Sequence, residues 1–145
     1  MRSIIGTILN SVGIGNIRYA ADGRRGLEAV HEFQPDICFV DYEMPVMNGL
    51  DFISAVRTLS HDARYLPIIM LSGHSDLPRI VAARDRGVTE FLSKPVTAKL
   101  ILQRLEAVIL NPRPFIDSEH YFGPDRRRTR NSAYDGELRR ASDKA

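Results

Sequence analysis

Cysteine is almost absent from this chain of 145 residues, where Cys38 stands alone. A single thiol cannot close an internal disulfide, so the core must hold the fold, and a packed thiol in a reducing, cytoplasmic setting is expected. Long apolar runs are missing too. No stretch approaches the roughly 18 uninterrupted apolar residues of a membrane span, and Met1-Arg2-Ser3-Ile4-Ile5-Gly6 turns polar too early for a signal peptide. Charge of one sign is lacking in the body: residues 1–110 carry 12 Lys+Arg against 12 Asp+Glu, and residues 111–145 carry 8 against 6. A neutral body argues against a domain that coats nucleic acid, whose surface would be strongly basic. The four histidines, His31, His61, His74 and His120, lack metal-ligand spacing and read as surface residues.

What remains is a hydrophobic content of 43% and a charged content of 26%, enough for one soluble domain with an appendage. Ile4, Ile5, Ile8, Leu9 and Val12 recur at helical spacing and are closed by Gly13. Asn16 to Ala20 reads as a short strand, and Arg24 to Phe33 as a second helix. Ile37-Cys38-Phe39-Val40 is apolar without alternation, which predicts a strand buried on both faces, as in a parallel sheet. The unit then repeats. A helix over Leu50–Leu59 is followed by a strand over Ile68–Leu71, a helix over Leu77–Arg86 stopped by Gly87, a strand over Thr89–Ser93, and a helix over Thr97–Leu110. Such alternation implies βαβ crossovers and an open, doubly wound parallel sheet of the α/β class.

In open α/β sheets the functional crevice lies outside the carboxyl ends of the strands. Asp41, Ser72 and Lys94 each follow a predicted strand there. A carboxylate at a strand end can accept a phosphoryl group as an acyl phosphate. A neighbouring hydroxyl can hydrogen-bond a phosphoryl oxygen, and a lysine can neutralise another. Asp41 could instead merely cap a loop, yet an acid closing a buried strand is costly without a use.

The run Asp41-Tyr42-Glu43-Met44-Pro45-Val46-Met47-Asn48-Gly49 resembles the phosphoacceptor loop of response-regulator receivers. Leu71-Ser72-Gly73 resembles their hydroxyl-bearing strand, and Phe91-Leu92-Ser93-Lys94-Pro95 their last strand, with its usually cis Lys-Pro step. The likeness runs from Met1 to about Leu110, in order and at family spacing. It implies a flavodoxin-like receiver domain over residues 1–110. Asp41 would take phosphate from a histidine kinase or phosphotransfer protein, and Lys94 would pair with the phosphoryl group. Ser72 and Phe91 would form the switch pair that alters a face binding a protein output target. Glu43 would lend its backbone carbonyl to Mg²⁺, while its side chain, His74 and Pro95 flank the site.

One departure from the pattern stands out. The family begins with a hydrophobic strand ending in an acidic pair that holds the Mg²⁺, and here Met1 aligns inside the first helix. Four strands and five helices are therefore expected, with strand 1 missing and Asp41 the sole metal-site carboxylate. Mg²⁺ binding should be weak and phosphorylation of this chain poor. A start placed at an internal methionine, or a degenerate receiver, would each explain the departure. The gap would leave open edges compatible with a strand-exchanged homodimer.

Two other classes compete with a phospho-switch. A pseudo-receiver would act as a phosphate-independent interaction module. A haloacid-dehalogenase-like phosphatase would use Asp41 and Glu43, two residues apart, but Met44-Pro45 and Lys94-Pro95 suit the receiver better. Beyond Asn111 the chain holds Pro112, Pro114, Pro124 and the cluster Arg126-Arg127-Arg128 with Arg130. Residues 111–145 are expected to be a basic, disordered tail, too short for a DNA-binding domain, with partner docking as the sharper alternative.

Overall fold

Apolar side chains occupy four consecutive positions of Ile68-Ile69-Met70-Leu71-Ser72, and each is no more than 2% exposed. They form strand β2 (Ile68–Ser72) in the computed structural model, which describes residues 2–73 and 76–126. β2 is flanked in parallel by β1 (Cys38–Asp41) and β3 (Glu90–Ser93), giving the order β1-β2-β3. The register pairs Asp41 with Leu71 and Ser72 with Ser93, so the three carboxyl ends finish on one rim.

Successive side chains of a strand point to opposite faces, and the core divides accordingly. Ile68 and Met70 pack with Val30 of α2 (Gly23–Phe33), Phe52, Ile53 and Val56 of α3 (Gly49–Arg57), and Ala83 of α4 (Leu77–Arg86). Ile69 and Leu71 pack with Ile5 and Leu9 of α1 (Arg2–Ser11) and with Ile101, Leu105 and Val108 of α5 (Ala98–Leu110). A central strand buried on both faces with helices on each side is the doubly wound arrangement predicted. Burying each such side chain contributes roughly 1.5–3 kcal/mol.

Local chemistry sets the helix ends. Asp22, Asn48, Asp76 and Thr97 cap α2, α3, α4 and α5, each side chain accepting from a backbone N–H three residues on. Gly87 ends α4 at φ 103°, a conformation glycine adopts without a Cβ penalty.

Two expectations are corrected. Asn16–Ala20 joins no sheet, so three parallel strands are formed among the described residues instead of four. A strand is stable only when a neighbour takes up its backbone groups, and none of the described residues lies between this segment and the outer edge of β1. A cavity of about 210 Å³ runs there instead, lined by Ile5, Leu9, Ile17, Val30, Phe39 and Leu71 among others.

The second correction concerns the tail. Residues 111–126 are ordered around an antiparallel hairpin of β4 (Phe115–Ser118) and β5 (Tyr121–Pro124). The hairpin supplies its own apolar contacts. Tyr65 meets the rings of Phe115 and Phe122 at 5.1 and 5.4 Å, Tyr121 is buried, and Arg64 lies 3.7 Å over Phe122. Gly123 lets the hairpin close on the end of α4, since a Cβ there would stand 2.9 Å from the Gly87 Cα. Residues 127–145, including Arg127, Arg128 and Arg130, lie outside the described residues.

Arg57 links hairpin and body. Its residue is only 3% exposed, and its guanidinium donates to the carbonyls of Gly87, Arg64 and Leu66 at 2.9, 2.9 and 2.7 Å. It also lies 5.0 Å from the Phe115 ring centroid. Desolvation pulls its pKa down to about 10, and the carbonyl cage compensates the buried charge with hydrogen bonds.

Candidate functional site

Strand β1 ends in Asp41 and β3 is followed by Lys94, so the parallel register carries the two side chains to the same rim. The Lys94 ammonium lies 2.9 Å from Asp41 Oδ1, with about a third of each side chain exposed. That oxygen is buried, and among the described residues the Lys94 ammonium is the charge it meets. Ser72, the last residue of β2, is 2% exposed and stands beside them. Its carbonyl accepts from the Lys94 N–H at 2.7 Å, and the Leu71 carbonyl accepts from the Tyr42 N–H at 2.7 Å. The Lys94–Pro95 peptide is cis, and Pro95 is exposed at the edge of the rim.

The following loop returns sharply beneath Asp41. Gly49 donates its N–H to the Tyr42 carbonyl at 2.9 Å, and a Cβ at this position would meet the Asp41 carbonyl oxygen at 2.3 Å. Only glycine lets the start of α3 approach the site so closely. Val46, exposed at the loop's tip, takes a φ of 70° that is uncommon for a β-branched residue.

Glu43 is exposed, and its carboxylate pairs with Arg79 of α4 at 3.5 Å. Arg79 also covers the Tyr42 ring at 4.9 Å, tying the loop to α4. Arg79 was not singled out from sequence, where a basic residue in a first helical turn carries no signal of its own. Phe91 is partly buried against the core formed by α2, α3 and α4. His74 lies outside the described residues.

Mg²⁺ requires near-octahedral oxygen coordination. The described residues hold no group of three or more His, Cys, Asp or Glu that could hold a metal ion. Asp41 is engaged by Lys94, and Glu43 by Arg79. This donor set does not fit a tightly held Mg²⁺.

The model of the response regulator receiver domain matches residues 1–106. The chain belongs to this family. It is 32% identical over 108 residues to the chemotaxis protein CheY of Pseudomonas aeruginosa, covering 74% of this chain and 86% of that protein. Over 97 residues it is 39% identical to a protein-glutamate methylesterase/protein-glutamine glutaminase of Haloarcula marismortui, of which the match covers 25%. Among solved structures, the CheY4 receiver of Vibrio cholerae superposes with a TM-score of 0.68 at 31% identity, over 74% of this chain and 88% of that one. A receiver domain of the sensor kinase PA1611 from Pseudomonas aeruginosa, solved with magnesium in its active-site cleft, shares the fold at a TM-score of 0.68 and 22% identity, over 76% and 88% of the two chains. The receiver match ends at residue 106, so the hairpin at 115–124 lies beyond it.

Proposed function

We propose that this receiver accepts a phosphoryl group on Asp41 from a histidine kinase or phosphotransfer protein and thereby switches a partner-binding face. The observation that carries the reading is the Asp41–Lys94 ion pair at 2.9 Å on the rim where Ser72 also ends its strand. An Asp41 carboxylate oxygen attacks the donor's phosphorus, the bond to the donor's nitrogen breaks, and an acyl phosphate remains. Lys94 then neutralises a phosphoryl oxygen as a point charge, and the Ser72 hydroxyl donates to another. Phe91, one strand over, turns inward as Ser72 moves, passing the change to α4 and β3. The protein is a phosphoacceptor rather than an enzyme with its own substrate, and it works in the cytoplasm.

Asp41 and the Glu43 backbone carbonyl would be the residues holding Mg²⁺, which would supply charge neutralisation. With one carboxylate already paired, its hold here is weak and phosphorylation is slow. That same donor set favours a second reading, in which the domain signals by binding alone.

Incubation with acetyl phosphate and millimolar Mg²⁺, read by phosphate-affinity electrophoresis, separates the two. A shifted band that disappears in Asp41→Asn is expected, with a much smaller yield for Lys94→Ala. No shifted band over hours at saturating donor would leave the binding-module reading standing.

A further inference from the structure

His31 and His61 stand far apart in the sequence and side by side in the fold. His31 lies in the last turn of α2, and His61 opens the 3-10 turn Asp62–Tyr65 that leads into β2. α2 runs on to the amino end of β1 and this turn to the amino end of β2, so the pair sits at the rim opposite Asp41. Both residues are exposed, and their ring centroids are 5.3 Å apart with the planes at 60°. His31 makes no hydrogen bond among the described residues. His61 accepts one long bond at Nδ1, from the Ala63 N–H at 3.3 Å. Spacing along the chain hides the pair, because each element contributes a single histidine.

We propose that His31 and His61 form a two-imidazole site for a divalent transition metal ion of the Zn²⁺ and Cu²⁺ class, with water completing the coordination. Imidazole nitrogen is a preferred ligand of these ions. The separation of the rings fits. A metal bonded to each ring at about 2.0–2.1 Å lies about 3.2 Å from each centroid, so centroids 5.3 Å apart subtend about 110° at it, near the tetrahedral angle. Edge-to-face packing of the two rings is the competing reading, and it needs no ion. The surrounding charge favours the ion. The negative end of the α2 dipole lies beside His31, the exposed Glu28 shares the His31 face one turn back, and Asp62 follows His61. Coordination through His61 Nε2 moves that ring's proton to Nδ1 by way of water and releases the Ala63 N–H, which water solvates on this exposed turn. With two protein ligands the hold is weaker than in four-ligand structural sites, and Mg²⁺, which takes oxygen ligands, is not accommodated. The ion clamps the end of α2 to the approach to β2. It touches neither Asp41 nor Lys94, so the inference stands or falls apart from the proposed function.

The test uses the full chain in a non-chelating buffer. Isothermal titration with ZnCl₂ should show a saturable site that binds CuCl₂ more tightly and MgCl₂ not at all. His31→Ala and His61→Ala should each weaken Zn²⁺ binding at least about tenfold, whereas His120→Ala, at an exposed residue of the hairpin turn, should leave it unchanged. About 100 µM Zn²⁺ should raise the melting temperature of the wild type by a few degrees and leave that of either variant where it was, because an ion held only by the folded chain stabilises it by mass action. In wild-type protein, Zn²⁺ should shift the ring-carbon proton signals of His31 and His61 together, over the same range of concentration. Zn²⁺ binding that survives both substitutions would overturn the proposal. So would shifts confined to one of the two rings, since they would leave the imidazoles stacked without a shared ion.

Discussion

The two flanks of the sheet differ in what lies beside the outer strand. On the side of β3, Arg57 fastens four segments, and the hairpin covers the end of α4 and the turn before β2. On the side of β1, the outer edge faces a cavity, and residues 14–20 join no ladder. β2, paired on both sides, is buried at every position, whereas the edge strands β1 and β3 each bury one residue of four. A strand's side chains are enclosed throughout only when its backbone has a partner on each side.

The largest expected effect follows directly. Ile69→Ala, at a side chain with no exposure, should cost about 4 kcal/mol by urea unfolding, a large share of the stability of a domain this size. Ile17→Ala, in the unpaired segment, should cost less, about 1 kcal/mol, because its side chain is only partly buried and borders a cavity. Similar losses at the two positions would erase the distinction between the flanks.

Arg57→Met is expected to come next, at about 3 kcal/mol, because three carbonyls lose a charged donor that methionine cannot replace. The loss should be accompanied by release of the hairpin, seen as faster amide exchange at Phe115–Pro124 than in wild type. If exchange there stayed slow, the hairpin would be held by its aromatic cluster alone.

The parallel sheet and the rim were legible because their signals are local. Four apolar residues ending in Asp41, and again before Ser72, mark buried strands and where they stop. Gly87, read as the stop of a helix, likewise acts within one turn. Asn16–Ala20 was misjudged because strand formation is a property of pairs, and this segment carries the apolar pattern without the partner. The hairpin was missed for the opposite reason. Proline, arginine and the polar run after residue 126 dominate the composition of 111–145, and they mask Phe115-Ile116 and Tyr121-Phe122, two β-prone pairs around a short turn. Arg57 could not be found from sequence, since nothing in Ala55-Val56-Arg57 reveals that three carbonyls, from the turn before β2 and from the end of α4, converge on it.

The smallest effect probes the open flank through Cys38, which faces the cavity from β1. Burial pushes its thiol pKa up to about 12 from 9.0, against a weaker opposing pull from Arg57. The unfolded chain therefore loses this proton near its ordinary value while the folded protein keeps it. The group's contribution to stability is complete well below pH 9 and falls as pH rises through 9 toward 12. Tyr121, raised by burial to about 12, acts in the same direction above pH 10, and Arg57 acts oppositely. Cys38→Ala should accordingly lower stability at neutral pH yet flatten its decline between pH 8 and 9, below both the ordinary value of Tyr121 and the lowered value of Arg57. Urea midpoints at half-unit steps of pH give the slope. A slope unchanged by the substitution would mean that water in the cavity already solvates the thiolate, and that the open flank is wetter at Cys38 than its apolar lining implies.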